Sequence, residues 1–304
     1  MNQEASNPLL CDLESGMCEL PGATTETAKD VVLTENKPLK VIYYTDPICS
    51  SCWGIEPQLR RLKLEYGHVL DIEYRMGGLL PDWSYNSGGI SKPSDVAHHW
   101  DEVSAYYDMP IDGDVWLEDP LDSSYPPSIA FKAAQLQDEK KAVVFLREIR
   151  EMVFLQKKNI TRPEHLRMAA EKAGLNVEQF ERDFAGRALE LFQEDLALGR
   201  QLGVRGFPTM FFVSSDGAME KVYGTKPYAV YENAVLQQLP RVTRSSYATD
   251  WESLFTRYPS LTSREFAELV DLSRQLAEAF LQSLADEGKL EKEASKNGAI
   301  WRKK

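Results

Sequence analysis

A short apolar strand that runs straight into Cys49-x-x-Cys52 is the passage that most constrains this chain. Leu39 to Thr45, LKVIYYT, is apolar and β-branched, the composition of a buried strand, and Asp46-Pro47 ends it. After the cysteines, Trp53, Leu59, Leu62 and Tyr66 recur at helical spacing, and Pro57 should kink the helix they form. Two thiols at this spacing can close a disulfide within one helical turn. The first sits at the helix N-terminus, where unpaired N–H groups and the helix dipole favour a thiolate. Cys49 is therefore expected to be the nucleophile, partly exposed and with a pKa below that of a free thiol. Cys52, one turn deeper and more buried, is expected to resolve a mixed disulfide. The competing readings are half of a zinc site and two ordinary cysteines. Zinc needs two further ligands at suitable spacing; the other cysteines, Cys11 and Cys18, lie far off in the N-terminal arm, and no histidine neighbours the motif.

A second constraint is Gly203-Val204-Arg205-Gly206-Phe207-Pro208-Thr209, just before another strand. A proline entering a strand gives up a backbone donor, so it belongs at a strand start or edge. A cis Phe207–Pro208 bond would turn the chain tightly and expose the backbone of Phe207, to which an extended peptide can add as a strand. A trans proline in a plain turn is the alternative for the segment alone; the CxxC motif beside it favours the first reading.

The remaining elements follow from periodicity and punctuation. Asp71 to Met76 is a strand, and 81–89 is a loop of Pro, Asn and Gly. From about Ser94 to Val204 the pattern is helical: Pro126-Pro127 opens a helix through Leu136, then Glu139 to Leu155, Pro163 to Ala173, Val177 to Phe184 and Ala188 to Leu202 follow. Strands return at Thr209 to Val213 and Glu220 to Tyr223 around Asp216-Gly217, and Tyr228 to Leu239 is helical. After a polar linker from Pro240 to Tyr247 come helices at Trp251–Tyr258, after a capping box at Thr262–Glu265, and at Ser273–Glu287, then a hairpin about Asn297-Gly298. Phe266, Leu269, Leu276, Phe280 and Leu284, with Ile300 and Trp301 of the hairpin, are the expected core of this last module.

The fold class is α/β. Three parts are expected: a flexible arm over 1–36, a main domain over 37–240 with a helical insertion at about 90–203, and a small winged-helix-like domain over 248–304. Net charge is −12, which argues against nucleic acid as a partner. Residues 245–304 hold nine basic and ten acidic side chains, and the candidate recognition helix has Arg274 against Glu278, Asp286 and Glu287, so DNA is not expected there either. No apolar run approaches the ~20 residues of a membrane span, and the N-terminus does not read as a secretory signal, so a cytoplasmic protein is expected.

Strand, Asp-Pro-x-Cys-x-x-Cys-Trp, helix, helical insertion, then Gly-Val-x-Gly-x-Pro-Thr and a hairpin resembles the DsbA branch of the thioredoxin-like superfamily. Within it the chain is similar to FrnE-type oxidoreductases, to which 76–100 is closest, and to the SpxH (YjbH) adapter family. The adapter likeness lies in Asp46-Pro47, Cys49 to Trp53, Gly113 to Trp116, Ala130 to Gln135, Lys157 to Thr161 and the ending Gly298 to Trp301. The adapter family begins with a His-rich segment, and this arm has no histidine. The resemblance covers about 38–304. It implies a thioredoxin-like fold, Cys49 as attacking thiol, Cys52 as resolving thiol and Pro208 as the cis proline.

The leading expectation is a thiol–disulfide oxidoreductase or isomerase acting on protein or peptide thiols and disulfides. Catalytic roles fall to Cys49, Cys52 and Pro208, substrate contacts to Phe207 and Trp53, and no organic cofactor or metal is required. The alternative is an adapter presenting an Spx-like regulator to ClpX and its protease, with the CxxC at most a redox switch. Cys11 and Cys18, six residues apart, are spaced too widely for a zinc knuckle. A local disulfide, electron passage to Cys49–Cys52, or two thiols of no consequence stay open for them. His98-His99 suits a surface or lid position, and Asp46 and Glu56 lie near the thiols, either to influence proton transfer or as solvated charges.

Overall fold

The computed structural model describes residues 11–12, 16–19, 37–84 and 91–304. Within the arm, two short strands are present, β1 (Cys11–Asp12) and β2 (Met17–Glu19). The expectation of a flexible arm is corrected at these residues, because β2 is held as an added strand on the main domain.

The main sheet begins with β3 (Leu39–Thr45), buried along its whole length. It is flanked on both sides, parallel to β4 (Leu70–Met76) and antiparallel to β6 (Thr209–Ser214), which explains its unbroken apolar text. Between β3 and β4 run α1 (Ser50–Gly54) and α2 (Glu56–Tyr66), broken at Ile55 because Pro57 has no N–H to continue the ladder. The helical insertion comprises α3 (Pro93–Tyr107), α4 (Val115–Glu118), α5 (Tyr125–Gln137), α6 (Glu139–Leu155), α7 (Pro163–Lys172), α8 (Val177–Phe184) and α9 (Arg187–Gln201). Asp138 caps α6 and Asn176 caps α8 through side-chain oxygens, and prolines open α3, α5 and α7. Then come β5 (Gly206–Phe207), β6, β7 (Met219–Tyr223) and α10 (Tyr228–Gln238), giving a sheet of order β4-β3-β6-β7. This is a thioredoxin-like arrangement with a helical insertion.

The C-terminal part is a small mixed module: α11 (Trp251–Arg257), β8 (Ser260–Thr262), α12 (Ser263–Val270), α13 (Arg274–Asp286), β9 (Leu290–Ser295) and β10 (Gly298–Lys303), with strand order β8-β10-β9. The capping box at Thr262 and Glu265 is formed in both directions. Two expected core residues are corrected: Leu276 is 61% exposed and Phe280 40%. Helix α13 turns Ala277 and Leu281 inward instead, beside the expected Leu284, and Phe280 stacks on Phe266 at the rim, 5.8 Å between ring centres. Ile300 of β10 is buried in the core of the main domain, not in that of the module. No helix among the described residues is long and apolar enough to cross a membrane.

Candidate functional site: a dithiol under an added strand

Cys49 ends the turn after β3 and is the N-cap of α1; the Cys52 N–H donates to its sulfur at 3.1 Å. Both thiols are free, and both are fully buried, so the expected partial exposure of Cys49 is corrected. The cover is β2. It pairs antiparallel with β5, Cys18 opposite Phe207 and Glu19 opposite Gly206. The Cys18 sulfur, itself 1% exposed, lies 3.5 Å from that of Cys49. Cys18 is one half of a disulfide. Its register partner across β1 and β2 is Cys11, whose side chain lies outside the described residues.

The Phe207–Pro208 bond is cis. The Phe207 ring is buried against Gly77, where any side chain would collide with it: a Cβ on Gly77 would lie 1.7 Å from the ring. Trp53 corrects another expectation. Its indole is fully buried, donates to the Pro110 carbonyl at 3.0 Å and stacks on Phe154, so it anchors α1 to the insertion and is not open to a substrate.

Behind the thiols stands Arg150 of α6, fully buried. It donates to Thr45 Oγ1 at 2.5 Å and to the Asp46 carbonyl at 3.3 Å, and it pairs with Glu56 at 2.7 Å. Burial pushes the Cys49 thiol up, and the neighbouring Cys52 sulfur adds to the rise, so the expected low pKa of Cys49 is corrected. Burial works against charge on Cys52 as well, but the hydrogen bond from Cys49 and the Arg150 cation bring its pKa below the ordinary thiol value. With the strand in place, any charge on the pair is favoured on Cys52 over Cys49. Asp46 is fully buried and accepts from the N–H groups of Ile48 and Leu79 and from the Ser124 hydroxyl; burial raises its pKa to about 6.

Several residues around the thiols carry no sequence signal of their own. Arg150 is one. Ser51, Tyr107 and Thr225 are others: Ser51 Oγ lies 2.9 Å from the Tyr107 hydroxyl, to which Thr225 Oγ1 donates at 3.2 Å. The only hint of Arg150 in the text is a cation on the apolar stripe of α6. Of the histidines singled out, His98 is exposed and His99 buried, both beside Glu102. Among the described residues no group of three or more His, Cys, Asp or Glu side chains could hold a metal ion.

A thioredoxin family (Thioredoxin_5) matches residues 43–233. Among solved structures, the chain is similar to a protein from Nitrosomonas europaea described as a putative protein disulfide isomerase, at 21% identity and a TM-score of 0.59, over 67% of this chain and 98% of that one. The ClpXP adapter protein SpxH of Halalkalibacterium halodurans is 35% identical over 97% of both chains. Its namesake in Shouchella clausii is 33% identical over 96% of both. The likeness to the isomerase shows the fold; the likeness to the adapters runs the length of the chain, C-terminal module included, and the chain belongs to the SpxH family, built on a thioredoxin-like framework.

Proposed function

We propose that the protein is a cytoplasmic adapter that presents an Spx-like regulator to the ClpXP protease, and that its dithiol is a redox switch on a docking scaffold. The observation that carries this reading is the end-to-end likeness to adapters named for that role. Oxidoreductase-type architecture accounts for only about two thirds of the chain. The site supports the same reading: both thiols are covered, and the edge at Phe207 is filled by the chain's own strand. The C-terminal module, winged-helix-like in this reading, serves protein contact, because its charge balance provides no counterion-release term for DNA.

Turnover on protein thiols and disulfides is the second reading. It is favoured by the Cys52 N–H aimed at the Cys49 sulfur and by the Arg150 cation behind the pair. Degradation of an Spx-like protein by ClpXP, with and without this chain, separates the two. Faster degradation, together with negligible insulin reduction, is expected. No binding and no acceleration, with sustained insulin reduction, would establish the oxidoreductase instead.

A further inference from the structure

We propose that Met17–Glu19 is a tethered substrate strand of the dithiol site, and that Cys49–Cys52 exchanges intramolecularly with the disulfide of Cys18, whose other half we assign to its register partner Cys11. This exchange needs no partner protein and holds under either reading of the function.

Three observations carry it. The strand is added to β5 as an extended peptide adds to an open sheet edge, Cys18 opposite Phe207. It is anchored from the far side, where Thr225 N–H donates to the Gly16 carbonyl at 2.7 Å. Gly16 has φ +70°, and a Cβ there would sit 2.8 Å from Thr225 Cβ, so the approach needs a glycine. Finally, the anchored strand delivers a disulfide sulfur to within 3.5 Å of the Cys49 sulfur, contact distance for attack.

The chemistry balances within the chain. Cys49 gives up its proton, which returns to the sulfur released last. The Cys49 thiolate attacks Cys18 Sγ, the Cys11–Cys18 bond breaks, and Cys11 leaves as thiolate. That thiolate takes the proton from Cys52. Cys52 then attacks Cys49 Sγ, the Cys49–Cys18 bond breaks, and Cys18 leaves as thiolate. Ser51 Oγ, 3.6 Å from the Cys18 sulfur, is placed to donate to it. The Cys49–Cys52 dithiol is oxidised, the arm disulfide is reduced, and no outside oxidant is consumed.

The test uses the full chain with Cys52→Ser, which stops the second step. After acid quench, alkylation and trypsin, the peptides 1–29 and 41–60 should be joined through Cys18 and Cys49, with Cys11 alkylated, in a monomer on a non-reducing gel. An intact arm disulfide with alkylated Cys49 would overturn the proposal, and so would a link found only in dimers. Cys11→Ser/Cys52→Ser, holding only Cys18 and Cys49, reaches the same bond from thiols: mild oxidation should give a monomeric cross-link, and dimers alone would again overturn it. Gly16→Val in the Cys52→Ser chain should lose the cross-link and raise the alkylation rate of Cys49 several-fold. An undiminished cross-link there would show that strand docking does not deliver Cys18.

Discussion

The Arg147 guanidinium holds the Glu265 carboxylate with two parallel hydrogen bonds, 2.7 and 3.0 Å, and so fastens the helical insertion to the C-terminal module. Arg60 of α2 adds a third contact at 3.0 Å, and the carboxylate is fully buried. Burial alone would push the Glu265 carboxyl up, but Arg147 and Arg60 hold it below the usual range. Glu265→Gln leaves two buried cations facing a neutral amide and should cost about 3–5 kcal/mol of stability in denaturant unfolding. Because the folded carboxyl is depressed, its contribution is present above the unfolded value of about 4.3 and is lost as pH falls through the folded one. The gap between wild type and variant should therefore close on acidification.

Arg150→Gln removes the cation behind the thiols. Thiolate absorbance followed against pH should show the apparent pKa of the pair moving up, since Arg150 lowers both sulfurs. An unchanged titration would confine Arg150 to holding Glu56 and Thr45.

Asp46 should titrate near pH 6, read from its carboxyl carbon by NMR. Its folded value lies above the unfolded value of about 3.9, so the native state binds the extra proton between them. This group's contribution to stability is present below about 4 and is lost as pH rises through 6. Unfolding free energies should show that decline in wild type and lack it in Asp46→Asn.

Gly77→Ala puts a methyl group into the Phe207 ring. Displacing that ring shifts β5 and with it the seat of β2. The expected readouts are a destabilisation of about 1–3 kcal/mol from overpacking and faster alkylation of Cys49. Unaltered stability and alkylation would mean that β5 is not braced by this contact.

Within α13, Leu281→Ala should cost about 2–5 kcal/mol, whereas Leu276→Ala should fall within about 0.5 kcal/mol of wild type, because the first side chain is buried and the second exposed. Equal losses would mean that the helix faces the other way.

What the sequence discloses and what it withholds divide along physical lines. The strand Leu39–Thr45, helix α6 and the capping box at Thr262 are legible because their signals are local: period, punctuation and a reciprocal pair of side chains. Strands β1 and β2 are two and three residues long, β1 pairing with β2 and β2 with β5 far along the chain, so neither window has a period to read. The same distance hides Arg150 behind Cys52 and turns Leu276 and Phe280 outward, since α13 offers two adjacent apolar stripes and only packing chooses between them. The CxxC motif located the chemistry, but the cover over Cys49 comes from the arm, where the text reads as loose polar chain.

The seating of Ile300 in the core of the main domain bears on how the polypeptide is made. Arg60 gives a hydrogen bond to the Ser260 carbonyl, a partner 200 positions later, and Glu151 waits for Arg302. During synthesis the early helices emerge first, with these charges and an unfilled apolar seat exposed until the last strand has been translated. A ribosome stalled shortly before residue 300 would leave a nascent chain with every thioredoxin-like element in hand and its interior still open.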